Sequence, residues 1–388
     1  MSFKQHIDQE LMVSLRRHFH ENPEIGFQEF ETSNKIVKTL GELGVDEILR
    51  PTKTSVVGVI KGGKPGKVVA LRADIDALPM TEETEAPYAS KKPGVMHSCA
   101  HDAHTASLLG AAKALVAVKS DIKGTVKLIF QHAEEKPPGG AQEIVASGVL
   151  DDAEMFFGTH VFMGKPVGTI VSRVGPMLAA NDSYYVTVKG CGGHSAAPHK
   201  TIDPVVIGSE IVINLNLIVS RNVDPLSNVV ISCGKFAAGT INNVIPDTAR
   251  LELSVRTNTV EERKSIGDRI RRVVDGICIA HGAEYEITHE PGYSATINDA
   301  AAIDIVKFAA EKYLDNVEYA ESNMRMGSED FSAYSKIAPI AFIGIMAGSP
   351  EQGYEFNNHH PKFDIDEACM SVAAVVYVGC ALEALNIL

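Results

Sequence analysis

The chain is short of positive charge: 36 Lys and Arg stand against 49 Asp and Glu, a net charge of −13. That balance excludes a nucleic-acid or anionic-membrane partner, either of which calls for a basic face. No leader is expected either, since residues 1–10 (MSFKQHIDQE) carry no apolar core of the kind a signal peptide needs. No run is fit to span a bilayer. The most apolar long stretch, 205–219, is interrupted by Ser209, Glu210, Asn214 and Asn216 and is too short. The six cysteines (99, 191, 233, 278, 369 and 380) form no CxxC pair. That pattern reads as a reducing, cytoplasmic setting in which most of them are small buried hydrophobes. Internal repeats and low-complexity segments are absent as well.

What is present is ordinary globular composition, 45% hydrophobic and 22% charged over 388 residues. At roughly 150 residues per domain the length predicts two or three domains. A chain of this size buries roughly 75% of its unfolded surface and needs no disulfide to fold.

The two ends of the chain and its middle are patterned differently. Residues 67–73 (KVVALRA) read as a short buried strand, with Asp102 as a cap before a helical pattern at Leu108, Leu109, Ala112, Leu115 and Val116. A second strand follows at 125–131, a second helix at 141–149 and a third strand at 155–158. Near the end, 339–346 reads as a strand and 366–385 as a helix. The resulting fold class is α/β, with a mostly parallel sheet covered on both faces. In the middle, strands at 183–189, 229–233, 249–256 and 283–288 alternate with helices at 203–220 and 260–281. That β-α-β-β-α-β order predicts a ferredoxin-like α+β domain over 180–292, inserted into a catalytic domain of residues 1–179 and 293–388. The stretch 61–67 (KGGKPGK) lacks the GxxxxGK[ST] form of a phosphate loop and reads as a turn.

In an open α/β sheet, reacting groups gather beyond the carboxyl ends of the strands. Here those ends lead into Asp74 and Asp76, Glu134 and Glu135, His160, and later His359 and His360. Between the first strand and its helix lies 96–104 (MHSCAHDAH), holding Cys99, His101, Asp102 and His104. Singly, a buried histidine is more often a satisfied core residue than a ligand, and paired surface glutamates are usually solvated. Five segments bringing thiol, imidazole and carboxylate to one rim predict a metal site suited to zinc, manganese, cobalt or nickel. Of two adjacent glutamates, one can bind metal while the other takes a proton from water, the pairing that metal-assisted hydrolysis requires.

The runs 74–79 (DIDALP), 96–102 (MHSCAHD) and 133–135 (AEE) resemble signatures of a metal-dependent amidohydrolase family. It comprises hippurate hydrolases, bacterial aminoacylases and indole-acetyl-amino-acid hydrolases, within the zinc metallopeptidase superfamily and related to carboxypeptidase G. Matching stretches continue at 20–24, 158–161, 192–194, 243–246, 327–331 and 359–361, over nearly the whole chain. The resemblance implies a metal-bearing catalytic domain with an inserted lid and dimerisation domain. It implies metal binding by Cys99, His101, Glu135, His160 and His359, with His360 as a neighbour, and a general base at Glu134. Asp74 matches the carboxylate that orients the metal-site histidine, with Asp76 as its rival. From the lid it implies His194 on the scissile carbonyl oxygen, Asn243 as a substrate contact and Arg256 on the substrate carboxylate. Three positions depart from the family pattern: Ala100 replaces a usual Gly, His132 a common Pro and Cys191 a usually basic residue.

The expected activity is hydrolysis of the amide of an N-acyl amino acid, with one or two divalent ions (Mn, Zn, Ni or Co) per subunit and a homodimer formed through the lid. Two other readings are a cysteine amidase using Cys99 with His101 or His104, and a metal-dependent binding protein without turnover. A pure binder has no need of Glu134 beside Glu135.

Overall fold

A computed structural model of the chain describes residues 3–387, which divide into two compact units. The first comprises 3–177, 297–323 and 330–387; the second comprises 178–296 and 324–329.

The first unit is built on an eight-stranded sheet. Its strands, in spatial order, are Glu47–Leu49, Val56–Lys61, Lys123–Gln131, Lys64–Asp74, Met155–Phe162, Ile340–Met346, Thr169–Ser172 and Glu318–Glu321. The four central strands are mutually parallel. Antiparallel pairs join Glu47–Leu49 and Val56–Lys61 at one side and Thr169–Ser172 at the other. The sheet is therefore mixed and mostly parallel, the α/β class read from the alternating pattern. The central strands are mostly apolar and buried toward their carboxyl ends because both faces are covered there. Along Met155–Phe162, Phe157 joins the large core with the helices, while its neighbour Phe156 points the other way and stacks on Tyr334, ring centroids 5.2 Å apart.

Two helices not anticipated from the pattern, Gln9–Glu21 and Phe30–Leu43, precede the sheet. Each carries a single apolar stripe, Met12, Leu15 and Phe19 on the first and Ile36 and Leu40 on the second. Helix His101–Ala117 lies in the core with nearly every residue buried. Its start differs from expectation. Ala100, not Asp102, is the N-cap residue, and Asp102 lies inside the first turn, its side chain engaged elsewhere. Strand Met155–Phe162 also runs four residues beyond its expected end, so His160 sits within a strand instead of past it.

The second unit is a four-stranded antiparallel sheet in the order Val230–Ala238, Thr248–Thr257, Ala180–Lys189, Glu284–Pro291. Helices Pro204–Asn222 and Val260–His281 bury Ile207, Ile211, Leu215, Ile266, Ile270 and Val274 against it. The β-α-β-β-α-β order with this strand arrangement is the ferredoxin-like topology. Inside this unit the buried Asp182 accepts two 2.8 Å hydrogen bonds from Arg263 and lies 2.7 Å from His289.

Among the described residues two helices are long and apolar enough to cross a membrane by length and composition: Pro204–Asn222, which reaches beyond the 205–219 stretch expected to be too short, and the C-terminal helix over Cys369–Asn386. The second packs in the core of the first unit against helices His101–Ala117 and Ala300–Tyr313.

Candidate metal centre

The rim of the first sheet is organised by charge. Arg72 lies within the apolar run 68–73 of its strand and is fully buried, and a buried cation must be paired. Its guanidinium donates to Asp74 Oδ2 at 2.7 Å, to Asp330 Oδ1 at 3.0 Å and to Gln131 Oε1 at 2.8 Å. The other Asp74 oxygen lies 2.6 Å from His104 Nδ1, and the Val161 N–H donates to His104 Nε2 at 2.8 Å. A nitrogen that accepts from a backbone N–H carries no proton, so His104 is the neutral tautomer and donates from Nδ1 to Asp74. Burial pushes the Asp74 carboxyl up, but the charges of His101 and Arg72 and the hydrogen bond from His104 outweigh it and hold the group well below the usual carboxylate range.

Asp76, two residues on and past the strand end, faces different partners. Its Oδ1 accepts from the Glu134 N–H at 3.0 Å and its Oδ2 from the Glu135 N–H at 3.1 Å. His101 Nδ1 is 2.8 Å from the Asp76 carbonyl oxygen and 3.4 Å from Oδ1, while His101 Nε2 is 3.6 Å from Asp74. Of the two aspartates, Asp76 is therefore the one on the Nδ1 side of His101.

The candidate ligands converge. Cys99 Sγ, His101 and His160 form one set of possible ligand atoms, and Cys99 Sγ, Glu135 and His359 form another; within each set the atoms lie within 4.8 Å of one another. A third set joins Glu134 to His101 and Glu135. His160 Nδ1 lies 2.8 Å from the Val161 carbonyl, which turns Nε2 toward Cys99 Sγ at 3.5 Å. His359 Nε2 is 3.2 Å from the same sulfur and 3.0 Å from Glu135 Oε1.

These residues fit a divalent cation. His101 Nε2 is buried with no hydrogen-bond partner, which is costly unless something else engages it. The local field is short of positive charge. Burial lowers the proton affinity of His101, but Asp74, Asp76 and Glu135 override it and push the ring up to about 10. Burial and then Glu135, Glu134 and Asp74 push the Cys99 thiol far above its usual value. A field that holds protons on a thiol and an imidazole is one that a cation would relieve. It is also the reverse of what activates a cysteine nucleophile, which needs an electropositive setting.

Backbone strain gathers at the same place. Ala100, Ala133 and His359 all have positive φ, at 66°, 49° and 67°, and each such residue other than glycine costs about 1–2 kcal/mol. All three lie within one residue of a candidate ligand or base or are one. The left-handed turn at Ala100 is the physical reason a glycine suits that position. His132 is buried beside Glu143, its Nε2 3.0 Å from the carboxylate.

The expected substrate contacts lie in the second unit. His194 is exposed in a two-residue bridge that pairs it with Val244, and the Ser195 N–H donates to the Asn243 carbonyl at 3.1 Å, so His194 and Asn243 are neighbours. Arg256 is half-buried near the end of strand Thr248–Thr257 and donates to Ser328 Oγ at 3.0 Å; burial lowers its proton affinity. Cys191 is exposed, unlike the buried Cys278, Cys369 and Cys380, and all six cysteines are free.

Several structural partners were not read from sequence. Asp102 Oδ2 lies 2.8 Å from His20 Nδ1 and accepts from Arg16 Nε at 3.2 Å, in a fully buried cluster. Arg72 had a signal, a charge inside the apolar run 68–73 of its strand. His104, one helical turn beyond His101, had one too.

A family model described as Peptidase family M20/M25/M40 matches residues 70–383. The chain is similar to an N-acyl-L-amino acid amidohydrolase of Geobacillus stearothermophilus, 47% identical over 287 residues, covering 74% of this chain and 78% of that one. It is also similar to a hippurate hydrolase of Campylobacter jejuni, 38% identical over 379 residues and 96% of each chain. Among solved structures, the Bacillus subtilis YXEP protein, described as a dinuclear metal-binding peptidase of the M20 family, superposes with a TM-score of 0.86 at 35% identity. That match covers 98% of this chain and 99% of that one.

Proposed function

Since the chain belongs to peptidase family M20/M25/M40, we propose the following division of labour for its reaction, the metal-dependent hydrolysis of the amide bond in N-acyl amino acids. The observation that carries it is the sharing of Cys99 by two ligand sets, with Glu134 in a third set beside them. Cys99, His101, His160, Glu135 and His359 hold divalent metal, and the two sets favour two ions per subunit. Manganese, zinc, nickel and cobalt all suit this mixture of thiolate, imidazole and carboxylate. Bound metal supplies Lewis acidity, lowering the pKa of water and polarising the acyl carbonyl.

The protein's own groups do the rest. Glu134 takes the proton of the attacking water and returns it to the nitrogen of the leaving amino acid. Asp76 fixes the backbone of Glu134 and Glu135 and faces His101 Nδ1, the place an orienting carboxylate occupies. Asp74, the residue the family pattern assigns to that role, is tied to Arg72 and His104 and supports His160 through the adjoining Val161 N–H. His194 donates to the carbonyl oxygen as charge develops on it. Arg256 grips the substrate carboxylate with its planar fork, and Asn243 contacts the substrate. Residues 180–292 act as a lid that excludes water.

The same unit supports a homodimer. Val206, Ile213 and Leu217 form one exposed stripe on helix Pro204–Asn222. Beside it Val230–Ala238 is an edge strand whose outer side carries no partner strand. A cytoplasmic setting accords with the free cysteines. The test of function is turnover of hippurate, N-acetyl- and indole-acetyl-amino acids by purified protein, stripped with chelator and reloaded with each metal. Hydrolysis that vanishes and returns with metal is expected. Turnover indifferent to chelation would favour the cysteine amidase, and metal binding without turnover of any member would favour the silent binder.

A further inference from the structure

The segment bearing Glu134 and Glu135 is held by two buried carboxylates, not one. Three successive backbone N–H groups are taken up in order: Ala133 by Glu29 Oε1 at 2.8 Å, Glu134 by Asp76 Oδ1 at 3.0 Å and Glu135 by Asp76 Oδ2 at 3.1 Å. Glu29 comes from the start of helix Phe30–Leu43, 104 residues away in sequence from Ala133. The same Oε1 accepts from the Phe27 N–H at 3.0 Å. Glu29 thus ties together two residues in the left-handed region, Phe27 at φ 68° and Ala133 at φ 49°. Conformations of that cost persist only where their surroundings over-determine them.

The approach is built into the chain around it. A Cβ on Gly26 would meet the Cα and Cβ of Ala133 and the Cβ of Lys136, each at 3.2 Å, so a glycine lets the two backbones come together. The Ala77 N–H donates to the Glu24 carbonyl at 2.8 Å, which ties the Glu29 segment to the one that carries Asp76. Glu29 is fully buried. Its Oε2 makes no hydrogen bond, and its Oε1 is taken up by the Phe27 and Ala133 amides.

We propose that Glu29 is a positioning residue for the reaction. It acts through the Ala133 amide to set the direction in which Glu134 and Glu135 leave the sheet, sharing with Asp76 the clamp on three consecutive N–H groups. The role needs an acceptor oxygen at this spot and not a charge. The inference rests on the reading of Glu134 as base and Glu135 as ligand, and its test separates the two.

Amide hydrogen exchange of the metal-free protein, read at Ala133 to Glu135, needs no catalysis. Glu29→Ala should speed exchange at Ala133 by about tenfold or more while the core strands stay protected. Glu29→Gln, which keeps an acceptor oxygen, should leave it near the wild-type rate. In metal-loaded protein, Glu29→Ala should lower kcat on the order of 10- to 100-fold with KM little changed, and Glu29→Gln should restore most of the loss. Unchanged exchange and unchanged kcat in folded Glu29→Ala would overturn the proposal. So would a Glu29→Gln variant as impaired as the alanine variant, and this comparison decides the matter if Glu29→Ala fails to fold. If the exchange pattern holds while wild-type protein hydrolyses no N-acyl amino acid, the functional reading fails and the clamp stands.

Discussion

The candidate metal rim of the first unit and the expected substrate contacts of the second are built in opposite ways. On the rim, His101 is fully buried, Glu134 and Cys99 nearly so, Glu135 and His160 half-buried and His359 exposed, and the segments that carry the buried ones are pinned by Arg72, Asp74, Asp76, Glu29 and His104. In the second unit His194 and Asn243 are exposed and Arg256 is half-buried, held by one strand and one hydroxyl. That unit spends its own buried ion cluster on Asp182, Arg263 and His289. The candidate cation-binding groups are pre-organised by fixed hydrogen bonds, most of them in a drier setting, at a cost in desolvation and local strain. Groups that meet a changing substrate are left at the surface.

The sharpest way to break this contrast is to strike the rim. Cys99→Ser removes the atom common to both ligand sets, and it should leave protein that loses its metal on dialysis and has no measurable turnover; metal analysis beside the activity assay reads both. A lid substitution should behave differently. His194→Ala should lower kcat on the order of 10²- to 10³-fold, and Arg256→Ala should raise KM on the order of 10- to 100-fold, both with metal content unchanged. Metal loss in either lid variant would erase the distinction.

Smaller effects sharpen it through stability. Burial disfavours the charged form of His20, but its contacts with Asp102 and Glu82 win and push it up to about 9. A folded-state pKa above the unfolded value of about 6.5 means that stabilisation is full below 6.5 and is lost as pH rises through about 9. Melting temperature should therefore fall between pH 6.5 and 9.5, and His20→Gln should flatten that slope while melting lower at pH 6.5. The smallest effect expected is a gain. Ala100→Gly relieves left-handed strain at the cost of some backbone entropy, a net stabilisation of about 1 kcal/mol, visible as a slightly higher melting temperature with activity retained. A lower melting temperature would show that Ala100 is not strained.

Much of the fold was legible because its elements are locally patterned. The apolar run 68–71 of strand Lys64–Asp74, the continuous apolar strand Ile340–Met346 and the charged amphipathic helix at Val260–His281 announce themselves by period and length. The short sheet strands Thr169–Ser172 and Glu318–Glu321 have too few residues for any period to register, and they went unread. Convergence of Cys99, His101, Glu135, His160 and His359 could be expected because strand ends of one parallel sheet share an edge. What holds them could not. Asp74 and Asp76 are equivalent by spacing, and they diverge only because the strand stops between them. Glu29 meets Ala133 across 104 residues with no motif to announce it, and the left-handed turns at Ala100 and Ala133 belong to residues with no propensity for them.

The measurement closest to the central claim is made on Glu134→Gln, with bound metal counted and hydrolysis of a good N-acyl amino acid followed on the same sample. The account predicts metal content equal to that of the wild-type protein, with kcat lowered on the order of 10²- to 10⁴-fold. Wild-type turnover in that variant would contradict it.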